Sequence, residues 1–459
     1  MKTLFFNLIY FLSVSSLFGQ EIVGSWGGEL DVPGMKLPLV FNIKQNGSEF
    51  TSTMDSPMQG AKDIPVSQTT FEKNELILAS TNMQFQFKGI LTDNQIKGSF
   101  TQGQMSLPFT LIRKKEGESV LKRPQTPQPP FNYKIEDVTF TNPIDKNTLG
   151  GTLTTPNNKK EFPVVVLISG SGQQNRDSEL FGHKSFWVIA DDFAKKGIGV
   201  LRVDDRGTGS SNGATEAMTT QTFATDTNTA VEFLAQKGFT NIGLIGHSEG
   251  GIIAPMVASK NAKVKFIISM AGPGIPIDEL LVLQTNAIAK DAGATEEELK
   301  SSEATNRKIY SLVKSYKGTD LENEVKNIFI ADMQKLPKEQ QPSAVEMVKT
   351  AEQESKKITI PWFTYFIKIN PDVYWSKLKI PVLALNGSKD LQVISKENLA
   401  GIKASLEKAK NKKIEILEFP NLNHLFQEAK TGSVEEYGQL EQTIAPIVLD
   451  KMSAWILKL

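Results

Sequence analysis

The stretch from Asn241 to Ala258, Asn-Ile-Gly-Leu-Ile-Gly-His-Ser-Glu-Gly-Gly-Ile-Ile-Ala-Pro-Met-Val-Ala, constrains this chain more tightly than any other part of it. Ile242 to Ile245 is an apolar run suited to a central parallel strand, and Ile252 to Ala258 continues as a small-residue apolar helix. Between them lies Gly246-His247-Ser248-Glu249-Gly250. A G-x-S-x-G turn joining strand to helix bends so sharply that larger residues at the glycine positions collide with it, and it lifts the central hydroxyl above the sheet. The first helical N–H groups then aim at whatever Ser248 attacks. The plainer reading, an ordinary glycine-rich turn, has no use for the strand before it or the helix after it.

Lysine plus arginine equal aspartate plus glutamate at 51 each, so no overall field favours nucleic acid or an anionic membrane surface. The N-terminus has one early charge, a short apolar run and then small residues, the pattern of a secretory signal peptide over 1–19 with cleavage near Gly19. The apolar run is too short for a spanning helix, so the mature chain is expected to carry no integral membrane segment and to be exported, to the periplasm or beyond. With no cysteine, disulfides are excluded and each domain must stand on its own core.

From 20 to 114, short β-type runs such as Leu37–Ile43 and Phe85–Leu91 alternate with turn residues, which predicts an all-β barrel or sandwich. This region holds no constellation for catalysis and reads as a packing or attachment domain, with a substrate-binding role as the alternative. Residues 115–130, with Pro124, Pro127, Pro129 and Pro130, read as a stiff, extended linker, with a boundary near Phe131. From 131 to 459 strand and helix alternate, predicting a mostly parallel sheet with helices on both faces. The rhythm stops from about 273 to 374, a lysine- and glutamate-rich helical interval that reads as a cap over the carboxyl ends of the strands.

A serine hydroxyl needs a base within reach, itself oriented by a third group. There are three histidines. His247 adjoins Ser248 but points elsewhere in such a turn and is expected to support it. His183 precedes an early helix and could border the pocket. His424 follows the strand ending at Phe419, where a loop at the carboxyl edge delivers it to the site, and is the expected base. Asp390, just past the Gly387 turn, completes the order Ser, acid, His. The oxyanion donors are expected to be the backbone N–H of Glu249 and one from the loop Ser169–Asp177, Ser171 first and Gly172 second. There is no H-E-x-x-H, no histidine pair at helical spacing and no phosphate-cradling glycine loop, so no metal and no cofactor are expected.

Gly246-His-Ser-Glu-Gly-Gly, Asp204-Asp-Arg-Gly-Thr-Gly-Ser-Ser211, Ala271-Gly-Pro-Gly and Pro381-Val-Leu-Ala-Leu-Asn-Gly-Ser-Lys-Asp390 together resemble the α/β-hydrolase superfamily, over almost all of the chain after the linker. The resemblance is to exported bacterial esterases with a serine-aminopeptidase-type hydrolase domain. It implies an α/β-hydrolase fold with a cap insertion and hydrolysis of small-molecule acyl esters through an acyl-serine intermediate. Relatives often carry His-Gly where this chain has Ser169-Gly170. Asp204 and Arg206 are expected to form a structural ion pair beneath the site. Serine aminopeptidase action is the second reading, thioesterase or acyltransferase action the third, and a non-catalytic binding protein the last.

Overall fold

The computed structural model describes residues 22–32, 35–59, 61–103, 105–115, 122–157 and 161–459. The expected signal peptide and residues 116–121 of the expected linker lie outside them. The chain divides into two compact units, Met1–Lys122 and Arg123–Leu459.

In the first unit nine antiparallel strands between Gly24 and Arg113 form one sheet. Period-two alternation does the work: Phe85–Thr92 is buried and exposed at strictly alternate residues. The sheet curls on itself, bringing the Ser52 hydroxyl 2.7 Å from that of Thr69 near the opposite edge. Its inner face is an aromatic core in which Trp26, Phe41 and Phe87 are fully buried.

The second unit is built on eight strands: β1 Tyr133–Thr141, β2 Thr148–Pro156, β3 Val164–Ile168, β4 Gly199–Val203, β5 Ile242–His247, β6 Val264–Met270, β7 Val382–Gly387 and β8 Ile414–Phe419. Their order is β1-β2-β4-β3-β5-β6-β7-β8. β1 and β2 pair antiparallel, β2 meets β4 antiparallel, and every later pairing is parallel. The all-apolar β3 is buried along its whole length. Val164 and Val166 join one core and Val165 and Leu167 the other, because successive side chains leave opposite faces. Helices cover both faces: α1 Ser185–Lys196, α2 Thr220–Gln236 and α3 Gly250–Ala258 come first, and α10 Ser395–Lys408 and α11 Pro446–Ile456 last. This is the α/β-hydrolase fold.

Between β6 and β7 the chain leaves the sheet for α4 Ile277–Asp291, α5 Glu296–Ser315, α6 Leu321–Met333, α7 Ala344–Thr359, α8 Pro361–Phe366 and α9 Asp372–Trp375. The starts of α5 and α7 are fixed by reciprocal capping, Thr295 with Glu298 and Ser343 with Glu346. The helices have their own small core of Ile309, Val313 and Val325, joined by Val282 of α4.

The proline-rich segment departs from the expected extended spacer. From Arg123 it belongs to the second unit, and it turns at once, Thr126 N–H bonding the Arg123 carbonyl at 3.0 Å. Proline density suggested stiffness, but Arg123 and Gln125, on either side of Pro124, find backbone partners in the second unit and hold the segment down.

Candidate active site

The site is assembled where β5 passes into α3. Ser248 has φ of 55°, the left-handed region, and its N–H bonds the Met270 carbonyl at 2.9 Å. The flanking glycines have steric reasons: a Cβ on Gly246 would stand 1.9 Å from the Gly250 carbonyl oxygen, and one on Gly250 would stand 2.2 Å from that of Ile168. Ser248 faces a cavity of about 720 Å³ whose wall includes His424, Glu249, Gly170 and Ser171, with Leu280, Trp362 and Phe366 from the cap interval.

Asp390 follows β7 and His424 follows β8, both buried. His424 Nδ1 lies 2.8 Å from Asp390 Oδ2, while Asp390 Oδ1 accepts the N–H groups of Gln392 at 2.8 Å and Val393 at 2.9 Å. The His424 turn is knotted by buried Asn423, whose Oδ1 accepts from Leu425 and Gln427 N–H at 3.0 Å each and whose amide donates to Gln427 Oε1 at 2.9 Å. His247 donates from Nε2 to the His424 carbonyl at 2.9 Å, its ring 4.7 Å from that of His424. Burial, then the neighbouring His424, pushes the His247 pKa down to about 3, so it stays a neutral brace.

His183 does not border this cavity. It is fully buried, with Nδ1 2.9 Å from Thr443 Oγ1 and Nε2 3.1 Å from the Tyr437 carbonyl. Burial, aided by the Arg123 charge, pushes its pKa down to about 4.

The loop after β3 lies against Ser248, since a Cβ on Gly170 would sit 3.1 Å from Ser248 Cβ. Ser171 lines the cavity, whereas Gly172 is exposed and does not. Asp205 clamps the loop at both ends, accepting from Ser169 Oγ at 2.9 Å and from Gln174 N–H at 2.9 Å. Burial pushes its carboxyl up to about 7 against those hydrogen bonds, with Asp226 and Glu249 adding to the rise.

The expected Asp204–Arg206 ion pair is absent. Asp204 pairs with Arg176 at 2.6 Å, and Arg206 with Asp226 at 2.7 Å and Asp145 at 2.8 Å. Strand-end charges are commonly paired when buried, which suggested one bridge, but Asp204 meets Arg176 of the loop after β3 while Arg206 meets Asp226 of α2. Asp204 holds the loop after β3, and Arg206 ties it to α2.

Two contacts had no sequence signal. Trp362 of α8 donates its indole N–H to both Glu249 oxygens, at 3.1 and 3.0 Å. Burial raises the pKa of the Glu249 carboxyl, opposed by the nearby hydroxyls of Thr220 and Ser171 and by the Trp362 indole N–H. Tyr437, fully buried, accepts from Gln392 Nε2 at 3.1 Å beside Asp390. Only tertiary packing brings these residues from distant segments.

Residues 145–416, more than half of the chain, match the family described as X-Pro dipeptidyl-peptidase (S15 family). The match includes Ser248 and Asp390 and ends before His424. The chain is similar to the esterase EstD of Thermotoga maritima, 26% identical over 334 residues, covering 72% of this chain and 69% of that protein. Among solved structures it is similar to the Pyrococcus furiosus esterase Pf2001, with 16% identity, TM-score 0.42 and coverage of 71% of this chain and 93% of that one. It is also similar to Est1E from Butyrivibrio proteoclasticus, determined with ferulic acid bound, with 16% identity, TM-score 0.39 and coverage of 68% and 96%.

Proposed function

Because the chain belongs to the X-Pro dipeptidyl-peptidase (S15) family, we propose that it is a serine hydrolase that cleaves small-molecule carboxylic esters through an acyl-enzyme, with Ser248, His424 and Asp390 as its triad. The observation that carries the reading is the 2.8 Å Asp390–His424 bond at the wall of a cavity that Ser248 enters from a left-handed turn. Asp390 Oδ2 accepts a hydrogen bond from His424 Nδ1–H, which fixes the tautomer whose Nε2 lone pair takes the Ser248 proton. Ser248 Oγ then adds to the ester carbonyl, and the oxyanion is met by the N–H groups of Glu249 and Ser171. Among the described residues no hydrogen bond uses either N–H. His424 returns the proton to the departing alkoxide, and water, activated the same way, releases the acid. The resemblance to an esterase of 26% identity supports ester rather than amide as the bond cleaved.

A serine aminopeptidase is the second reading. The observation favouring it is Glu249, a buried carboxyl on the cavity wall whose hydrogen-bond donors are all neutral and which could receive a substrate ammonium. Hydrolysis of a panel of p-nitrophenyl esters beside aminoacyl anilides separates the two: ester turnover without anilide turnover is expected, and the reverse overturns the first reading. We further propose export, on the pattern of residues 1–19. Mass spectrometry of protein from the culture medium and periplasm should find a chain starting near Gln20, and an intact Met1 would refute it. Among the described residues no helix is long and apolar enough to cross a membrane.

A further inference from the structure

We propose that Arg123 and Gln125 are positioning residues for the His424 loop, a strap at the entry to the second unit that holds residues 437–445 against that loop. This rests on the reading of His424 as the base.

The strap is built from side chains onto backbone. Arg123 donates to the Phe181 carbonyl from Nη2 at 2.8 Å and Nε at 3.2 Å, to Gly438 from Nη2 at 2.8 Å and to Leu440 from Nη1 at 2.9 Å. One guanidinium therefore joins two segments more than 250 residues apart, the kind of fixed fork that Lys cannot supply. Burial lowers its pKa to about 10, against the pull of Glu441, so it remains charged at neutral pH. Gln125 imitates a neighbouring strand. Its Oε1 accepts Thr443 N–H at 2.6 Å and Ile444 N–H at 3.1 Å, and its Nε2 donates to the Ile444 carbonyl at 2.7 Å.

What the strap holds is the support of the proposed base. Ala445 N–H bonds the Phe426 carbonyl at 2.8 Å. Gln427 Nε2 donates to the Gln442 carbonyl at 2.7 Å, while Gln427 Oε1 receives the amide of Asn423, the residue before His424. Thr443 meets His183, whose other nitrogen lies 3.0 Å from Gln427 Nε2. The same strap reaches the cavity, because Ile444 lines it and so does Leu180, the residue before Phe181. Apart from the short 3-10 turn Val434–Glu436, residues 430–445 have no regular helix or strand to fix them. Side-chain bonds hold them, the strap at residues 438–444 and the Glu436 carboxylate at the N–H groups of Lys430, Thr431 and Gly432. A catalytic group displaced by about 1 Å can cost roughly a hundredfold in rate, so a strap of this kind acts on turnover as well as on stability.

The test uses the full chain and a neutral p-nitrophenyl ester well below the melting temperature. Arg123→Ala should lower kcat roughly ten- to a hundredfold with a smaller change in KM. Because the variant leaves a hole ringed by three carbonyls, free guanidinium at millimolar concentration should restore several-fold of that loss, with no gain in wild type. Arg123→Lys should fall between. If Arg123→Ala does not fold, Gln125→Ala takes its place, with a several-fold loss of kcat expected. A folded variant with wild-type kcat overturns the proposal. So does a loss that guanidinium leaves untouched and that vanishes on cooling by the drop in melting temperature, since that is stability alone. Ser248→Ala separates the two ideas: if it keeps turning over the ester, the underlying reading fails whatever the strap does.

Discussion

Ser248, His424 and Asp390 are single residues whose proposed roles make separate predictions. Ser248→Ala should remove ester turnover by at least roughly 10⁴-fold and abolish fluorophosphonate labelling without unfolding the chain, which circular dichroism checks. Asp390→Asn should cost roughly 10⁴ in kcat, because the amide cannot hold the same imidazole tautomer, and retained turnover would refute the pairing. Buried His183 makes a prediction about stability. Its pKa is about 4 in the fold and about 6.5 in the unfolded chain. The unfolded state therefore binds more protons between those values, and stability present above about pH 6.5 is lost as pH falls toward 4. The loss from this residue is about 3 kcal/mol. Asp205 works the other way: raised to about 7, it stays protonated in the fold where the unfolded chain ionises, and its contribution fades as pH rises through that window. Urea midpoints should fall further between pH 7 and 4 in wild type than in His183→Asn, and equal falls would contradict the account. At this scale the Ser248 turn and the Asp390–His424 contact were legible because G-x-S-x-G and strand-end positions are local patterns. The partners of Asp204 and Arg206 were not, since a turn decides which way neighbouring side chains leave the chain.

At the scale of elements, α8 of the cap interval is tied directly to the turn that carries Ser248. Trp362 stacks on Phe366, with ring centroids 5.2 Å apart, while its indole N–H serves the Glu249 carboxyl. Trp362→Phe keeps most of the stacking and removes the donor from a buried acid, a loss of about 1–3 kcal/mol. The melting temperature should drop by several degrees and KM for bulky acyl esters should rise; an unchanged KM would mean that α8 does not shape the acyl pocket. The strand and helix rhythm on either side of the cap was legible as runs of buried β-branched residues. The Trp362–Glu249 contact was not, because a lone tryptophan in a helical interval has no spacing that names its partner.

At the scale of the whole molecule, the join between the units is the part that sequence alone misplaces. Prolines mark where a chain is stiff, but Arg123 and Gln125 determine where the second unit begins. A shortened chain starting at Lys122 should melt close to the full-length second unit and keep ester turnover, while one starting at Phe131 should melt lower and turn over more slowly. Equal behaviour in a thermal melt and a kinetic assay would return the boundary to Phe131. The route of the chain through the sheet has a longer reach. It leaves at Met270 and returns at Val382, on two strands that are immediate neighbours, with Ile267 opposite Val382. Closing a loop costs little more for a long insert than for a short one. The cap helices are therefore an insert carried in a single crossover between neighbouring parallel strands. Inheritance can lengthen, replace or discard helices that wall the cavity while the proposed hydrolytic machinery is passed on in its original register.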